Sequence, residues 1–162
     1  MGDYKIIDNF LPKKLFNKIH YRFTENDSKV QHPFWMYTPD FERKEIYFTF
    51  NIYVGSIINP YFFDLFSSTL EKLKIKALIR IKGNCYPKTH EIYEHGMHTD
   101  YEWSHKSAIF SINTCDGYTK FEDGTKIDSV ANRMLIFDGS NLHTSSTTTN
   151  QHSRMNINFS YF

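Results

Sequence analysis

Apolar positions recur at helical spacing in two early stretches and at every second residue through the later half of the chain. Leu15, Phe16, Ile19 and Phe23 form one helical stripe, in a helix starting near Pro12. Phe62, Phe66, Leu70 and Leu73 form a second, which Asn59-Pro60 would cap and open. A short strand is expected over 3–8 and another over 45–54, the latter dense in Ile, Tyr, Phe and Thr. Residues 25–44 read as a loop rich in aromatics. From 77 onward the pattern is strands and turns, near 78–86, 105–113, 118–121, 125–130, 133–138, 142–147 and 153–161. Glu122-Asp123-Gly124 and Asp138-Gly139-Ser140 mark turns between them.

Two of these strands are polar on one face and apolar on the other. Arg80, Lys82, Asn84 and Tyr86 share one side of 79–86, while Ile79, Ile81 and Cys85 share the opposite side. In 154–159, Arg154, Asn156 and Asn158 alternate with Met155, Ile157 and Phe159. One such face is most simply a solvated one. Two of them, one carrying an Arg close in sequence to a candidate metal ligand, read as the lining of a polar lumen. The expected fold is therefore mainly β, a jelly roll of two antiparallel sheets. Its two N-terminal helices would cover the outer apolar face of one sheet, and its mouth would admit a small molecule.

Bulk properties narrow the picture. A chain of 162 residues fits one domain over 1–162, able to bury roughly 70% of its unfolded surface. Fifteen Phe and eleven Tyr supply a core without disulfides. The two cysteines, Cys85 and Cys115, fit a reducing compartment and make no zinc-ribbon spacing. The opening residues lack the apolar run of a signal peptide and the position-6 Ser or Thr that myristoylation favours. No run reaches membrane-spanning length. A cytoplasmic protein without a membrane partner is expected. A net charge of +1 gives no global attraction to nucleic acid, and the Lys and Arg between 72 and 88 read as a solvated helix end plus part of a site.

The chemistry concentrates in His98-Thr99-Asp100, with His143 and then Arg154 downstream. With eight His and ten Asp in the chain, about half an H-x-D triplet arises by chance, so order and spacing carry the argument. Two imidazoles and a carboxylate on one face of a metal leave the opposite positions open, which suits non-haem Fe(II). His98 and Asp100 would share a face if they lie on a strand. If Thr147–Asn150 closed a hairpin, His143 and Arg154 would stand nearly opposite each other. Arg154 could then grip a carboxylate with its planar fork. The stretch 87–97 reads as a loop into the site whose acids and His are mostly solvated. Its Thr89-His90-Glu91 and His95 do not have the spacing of a zinc-protease helix. Asp138 reads as a turn residue.

These residues resemble the Fe(II)- and 2-oxoglutarate-dependent dioxygenases, whose fold is a double-stranded β-helix. The similarity runs from Ile7-Asp8-Asn9-Phe10-Leu11 to the end and is tightest over 80–162. The length and layout resemble the small prolyl-4-hydroxylase-like members of bacteria and phages. The resemblance implies His98, Asp100 and His143 as the metal and catalytic set. It implies Arg154, with Tyr86, Asn84 and Asn156, as the 2-oxoglutarate site, on the N-x-Y and R-x-N motifs. It further implies Fe(II), 2-oxoglutarate and O₂ as cofactor and cosubstrates, and hydroxylation of a C–H bond with release of succinate and CO₂. The substrate would be peptidyl, prolyl-like, or a small molecule. Read from the residues themselves, the aromatic-rich loop gives two expectations: substrate enters over 28–44 and 86–97 with Trp35, Tyr37, Tyr101 and Trp103 at the rim, or Phe34, Trp35 and Tyr37 plug a core edge. Prolyl hydroxylases usually carry Lys at the position of Arg154, so the resemblance bears on the chemistry more than on the substrate. Two alternatives stay open. One is an AlkB-type nucleic-acid demethylase, against which the near-neutral charge argues. The other is a non-catalytic, cupin-like metal-binding jelly roll.

Overall fold

A computed structural model describes residues 4–25, 27–40 and 45–162. Residue 3 of the expected first strand, and 26 and 41–44 of the expected loop, lie outside the described residues. The elements in order are β1 (Tyr4–Ile7), α1 (Lys13–Thr24), β2 (Met36–Asp40), β3 (Glu45–Val54), β4 (Ile57–Ile58), α2 (Pro60–Phe63), a 3-10 turn (Asp64–Phe66) and α3 (Ser67–Leu73). They continue with β5 (Leu78–Pro87), β6 (Lys106–Ser111), β7 (Tyr118–Phe121), β8 (Lys126–Asp128), β9 (Met134–Asp138), β10 (His143–Ser145) and β11 (Ser153–Tyr161). The large sheet runs β1-β9-β6-β11-β5-β3-β2, with β4 attached to β3. The small sheet runs β10-β7-β8. Every strand pair is antiparallel. This is the jelly roll that the alternating strands predict.

The helices lie on the outer apolar face of the large sheet, as expected. Phe16 meets Phe110 edge-on at 6.0 Å, and Phe66 meets Phe159 at 5.5 Å. Ile19, Phe62, Phe66, Ile81, Phe110, Ile157 and Phe159 belong to one buried cluster there. The second helix is not continuous. Phe66 leaves helical geometry at φ −102° and ψ 2°, so the segment divides into α2, the 3-10 turn and α3 while Phe62 and Phe66 stay buried. Asn132, in a left-handed conformation at φ 63°, ties the approach to α1 to the turn before β9. Its amide accepts from Leu11 N at 2.9 Å and donates to Leu11 O at 2.8 Å.

A smaller cluster, built on Ile109, Phe121, Ile127, Leu135 and Phe137, fills one end of the space between the sheets. The other end is left to the polar faces of β5 and β11. Nearly all of β11 is buried, because its apolar side chains meet the helices and its polar ones meet the small sheet. The polar lumen inferred from alternation is therefore present, and it is enclosed.

Three expectations need correction. The segment 25–44 is not all loop, because β2 pairs with β3 from Met36↔Thr49 to Asp40↔Glu45. Trp35 is a core residue: it packs edge-on against Phe23 and Phe50, and a Cβ built on Gly83 would lie 3.4 Å from its ring. Its place is among the helices, away from any rim. Trp35→Ala is expected to cost about 3 kcal/mol in urea unfolding, the low end for a large aromatic that keeps some exposure. Metal affinity should be unchanged, whereas a rim residue would leave stability untouched.

The third correction concerns 147–150, which closes no hairpin. β10 has β7 on one edge, and on the other it takes the segment after β5, through His95 N→Ser145 O (2.9 Å) and Thr147 N→Tyr93 O (3.0 Å). Neither edge remains for β11, which inserts between β5 and β6 in the other sheet. Asp116 pins the crossing segment, accepting from Thr148 Oγ1 at 2.6 Å and Thr149 N at 2.9 Å. Burial works against its ionisation, yet these donors bring its carboxyl down to about 2.

Candidate metal centre and its pocket

His98 and His143 form an isolated antiparallel bridge, with His98 N→His143 O at 2.9 Å and His143 N→His98 O at 3.0 Å. His98-Thr99-Asp100 is therefore not a regular strand, contrary to expectation, and a single bridge followed by a bend presents the candidate ligands. The two rings lie 4.7 Å apart. One donor atom from each of His98, Asp100 and His143 lies within 4.8 Å of the others. Such a triangle fits within about 2.8 Å of a common point, so small side-chain rotations reach metal bonds near 2 Å.

Backbone carbonyls set the tautomers. His98 Nδ1 donates to Gly96 O at 3.0 Å, and His143 Nδ1 to Asn141 O at 2.9 Å. A carbonyl only accepts, so each Nδ1 carries the proton and each Nε2 offers a lone pair. Burial lowers the His143 pKa, outweighing the Asn141 bond, and this favours the neutral, ligating form.

Burial opposes ionisation of Asp100 as well, but its neighbours win. Arg80 Nη2 donates to Oδ1 at 2.7 Å, Ser107 Oγ donates to Oδ2 at 2.8 Å, and Asn158 Nδ2 reaches Oδ2 at 3.1 Å. With His143 also near, the carboxyl is held down at about 2. It is a carboxylate with one face committed to protein donors and the other toward the imidazoles.

Arg154 is the largest fully buried side chain, at 1% exposure. The register that pairs Arg154 with Tyr86 and Asn156 with Asn84 sets all four on one face of two neighbouring strands. Arg154 Nη2 donates to Thr119 Oγ1 at 3.0 Å and Nη1 to Ser146 O at 3.3 Å, and its Cζ stands 5.3 Å from the Tyr86 ring centre. It thus points toward the small sheet, the side on which His143 stands. Nε has no partner, and no carboxylate pairs with this guanidinium among the described residues. Gly117 makes the crossing possible: a Cβ there would lie 2.7 Å from Arg154 Cδ and 2.5 Å from Thr147 O.

A narrow cavity, of about 50 Å³, joins these groups. Its walls include His98, Asp100 and His143, together with Asn84, Tyr86, Asn156 and the Thr119 that Arg154 touches. Asn84 Nδ2 donates to Asn156 Oδ1 at 2.9 Å, which leaves Asn84 Oδ1 buried without a partner. Unsatisfied buried polar atoms are costly, so several in one cavity indicate a polar ligand.

Some lining residues carry no mark in the sequence, and others stand elsewhere than expected. Lys82 and Asn158 line the cavity, as their positions on the two polar faces permitted. Glu45, Tyr47 and His95 also line it, and no sequence signal marked them. His95, expected to be solvated, is buried: its Nδ1 lies 3.1 Å from Ser145 O and its Nε2 has no partner. Glu94, expected to be solvated too, pairs with Lys120 at 2.7 Å and Lys126 at 3.2 Å on the small sheet. Of the expected rim, Tyr37 is exposed and lies tilted against Phe48, with ring centres 5.7 Å apart. Tyr101 and Trp103 stack on each other at 4.7 Å, and Arg80 lies 5.2 Å over Tyr101. None of Trp35, Tyr37, Tyr101 and Trp103 lines the cavity. Asp138 is the turn residue expected, accepting from Ser140 N and Oγ.

No protein-family model and no curated protein matches the sequence. Solved structures do. A prolyl-4-hydroxylase from Pseudomonas putida superposes with a TM-score of 0.66 at 12% identity, over 99% of this chain and 93% of that one. The viral collagen prolyl hydroxylase vCPH of Paramecium Bursaria Chlorella virus-1, in its 2-oxoglutarate complex, gives 0.59 at 13%, over 97% and 94%. A 2-oxoglutarate-Fe(II) oxygenase family oxidoreductase from Burkholderia pseudomallei gives 0.66 at 10%, over 98% and 84%. Nearly the whole chain thus has the fold of the 2-oxoglutarate- and Fe(II)-dependent oxygenases, the family its motifs resemble.

Proposed function

We propose that this protein is an Fe(II)- and 2-oxoglutarate-dependent oxygenase that hydroxylates a C–H bond of a peptidyl or small-molecule substrate. One observation carries the reading. A buried guanidinium without a carboxylate packs on Tyr86 and Thr119, which line the cavity that also holds a two-His-one-carboxylate set. Burying an unpaired cation costs several kcal/mol, roughly, and a dicarboxylate held at its far end by Arg154 would relieve that cost. A metal-binding jelly roll without a cosubstrate would have no use for Arg154, Asn84 and Tyr86 facing inward.

His98, Asp100 and His143 are the residues that would hold the metal. Fe(II) in this family supplies the redox chemistry that couples decarboxylation of the 2-oxo acid to substrate oxidation. Arg154 would bind and orient the distal carboxylate, with Tyr86 packed against it. Asn84 Oδ1 and the Asn156 amide would line the path between Arg154 and the metal ligands. Tyr47, Tyr86 and His95, with ring centres 5.2–5.9 Å apart, would wall that path from water.

Anaerobic addition of Fe(II) and 2-oxoglutarate is expected to produce a weak visible charge-transfer band, which neither component gives with the protein alone. Aeration should then release succinate in step with loss of 2-oxoglutarate. A protein that binds Fe(II) but develops no band at millimolar 2-oxoglutarate would overturn the cosubstrate assignment.

A further inference from the structure

Lys82 is the cavity cation that the cosubstrate reading leaves unused. It lies on β5 opposite Asn158 of β11, four residues along the same face from Tyr86, which opposes Arg154. At 3.3 Å per residue the two cationic positions stand about 13 Å apart along the sheet. A five-carbon diacid spans only about 5 Å between its terminal carbons, from C–C bonds near 1.5 Å. Lys82 and Asp100 both line the cavity, and Lys82 stands opposite Asn158, whose amide reaches Asp100 at 3.1 Å. Arg154 and Lys82 thus stand at different ends of the strand pair, and the cosubstrate reading assigns the distal carboxylate to Arg154 alone.

Lys82 makes no hydrogen bond or ion pair among the described residues. The nearby carboxylate, Asp100, is already taken by Arg80, Ser107 and Asn158. Burial, then Arg80, lowers the Lys82 pKa to about 8, so the ammonium still predominates at neutral pH. The formal charges agree. With a divalent metal and a dianionic 2-oxo acid in place, Arg80, Lys82 and Arg154 exceed Asp100 and Glu45 by one positive charge. A monoanionic substrate group would complete the balance.

Asn158 adds a second polar handle. Its Nδ2 faces both oxygens of Asp100, which fixes the amide orientation, because the oxygen would be repelled there. Its Oδ1 is then buried, at the Lys82 end of the cavity, with no donor. An ammonium beside an unpaired carbonyl oxygen suits a ligand with a carboxylate flanked by an N–H.

We propose that Lys82 and Asn158 form a substrate subsite, separate from Arg154, for a carboxylate with a neighbouring N–H, as in an N-acylated amino acid or the carboxyl end of a peptide. The assignment rests on the cosubstrate reading above and sharpens it: an internal prolyl residue has no such carboxylate. Lys82 is a specificity-determining residue in this scheme and takes no part in metal binding.

The test uses Zn(II)-loaded protein with and without 2-oxoglutarate, titrated with N-acetylglycine and with its uncharged amide, N-acetylglycinamide. Binding is read by calorimetry and by amide shifts in 80–84 and 156–160. The acid is expected to bind at least roughly tenfold more tightly than the amide. Lys82→Met should erase that difference while leaving 2-oxoglutarate affinity within about twofold, since the two anions use different cations. Lys82→Gln repeats the measurement should the Met variant fold poorly. Triglycine separates the sources: binding like the acid assigns a peptide terminus, and exclusion assigns a free acid. Equal binding of acid and amide, no binding of either, or loss of 2-oxoglutarate affinity in Lys82→Met comparable to that in Arg154→Met would overturn the subsite. If the wild type takes up no 2-oxoglutarate, the cosubstrate reading fails separately, and the titration without it still decides Lys82.

Discussion

Arg154→Met is expected to abolish 2-oxoglutarate binding and to leave the unliganded protein as stable as before, or more so. Methionine keeps an unbranched apolar stem in the gap beside Gly117 and removes a charge that burial penalises. A side chain kept for architecture would show the opposite, a large loss of stability on removal. In the liganded state the variant would leave a carboxylate buried without its cation, a loss of about 2–5 kcal/mol. Affinity should fall at least roughly 100-fold. Arg154→Lys should fall between, because an ammonium keeps the charge and loses the fork that can bond Thr119 and a carboxylate together. Calorimetry on Zn(II)-loaded protein measures the affinities, and thermal melting without ligand measures the stabilities. A Met variant that binds 2-oxoglutarate within threefold of wild type would sink the assignment.

His143→Ala and Asp100→Ala should both lose the metal, yet differ in stability. Removing either ligand is expected to weaken metal binding more than about 100-fold, beyond the loss caused by altering an outer-sphere partner. His143 contributes its ring to an edge-on contact with Phe137 at 4.9 Å, while its backbone bonds to His98 survive substitution. Its stability cost should be about 1 kcal/mol. Asp100 also neutralises Arg80, with side-chain exposures of 5% and 17%. Its removal leaves that guanidinium half-buried without a carboxylate, at about 3 kcal/mol. The pH dependence has a definite sign. Asp100 is lowered from 3.8 to about 2, so its stabilisation is complete above pH 4 and is lost as pH falls toward 2. Asp100→Ala should therefore flatten the acid limb of the metal-free protein between about pH 4 and 2, whereas His143→Ala should act only at higher pH, below the ordinary 6.5 of an imidazole whose pKa burial lowers. Equal stability losses in the two variants would contradict the separate role given to Arg80.

Much of the candidate site was legible because its residues come in short motifs. Asn84 and Tyr86, and Arg154 and Asn156, are each two apart, and a period-two backbone turns such pairs to one side; His98 and Asp100 have the same spacing but are presented by a single bridge and a bend. Alternation also revealed that β5 and β11 carry polar faces. Partners are a different matter. The expectation that 143 and 154 face each other across a hairpin failed because both edges of β10 are occupied. They converge by packing one sheet over the other. His95, Glu45 and Tyr47 join the pocket through that same stacking, and no local pattern announces it.

The sequence by itself determined which side chains face together along each strand and where the helical stripes lie, because these depend on periodicity within a few residues. The tertiary structure alone decided that β11 lies between β5 and β6, that Trp35 closes the helical core, and that Asp100 is shared with Arg80. Each of these depends on contacts between distant segments, where backbone hydrogen bonds compete for edges and buried charges seek partners. The leftover charge on Lys82 belongs with them: a lysine on an alternating strand reads as solvated until the opposing sheet encloses it.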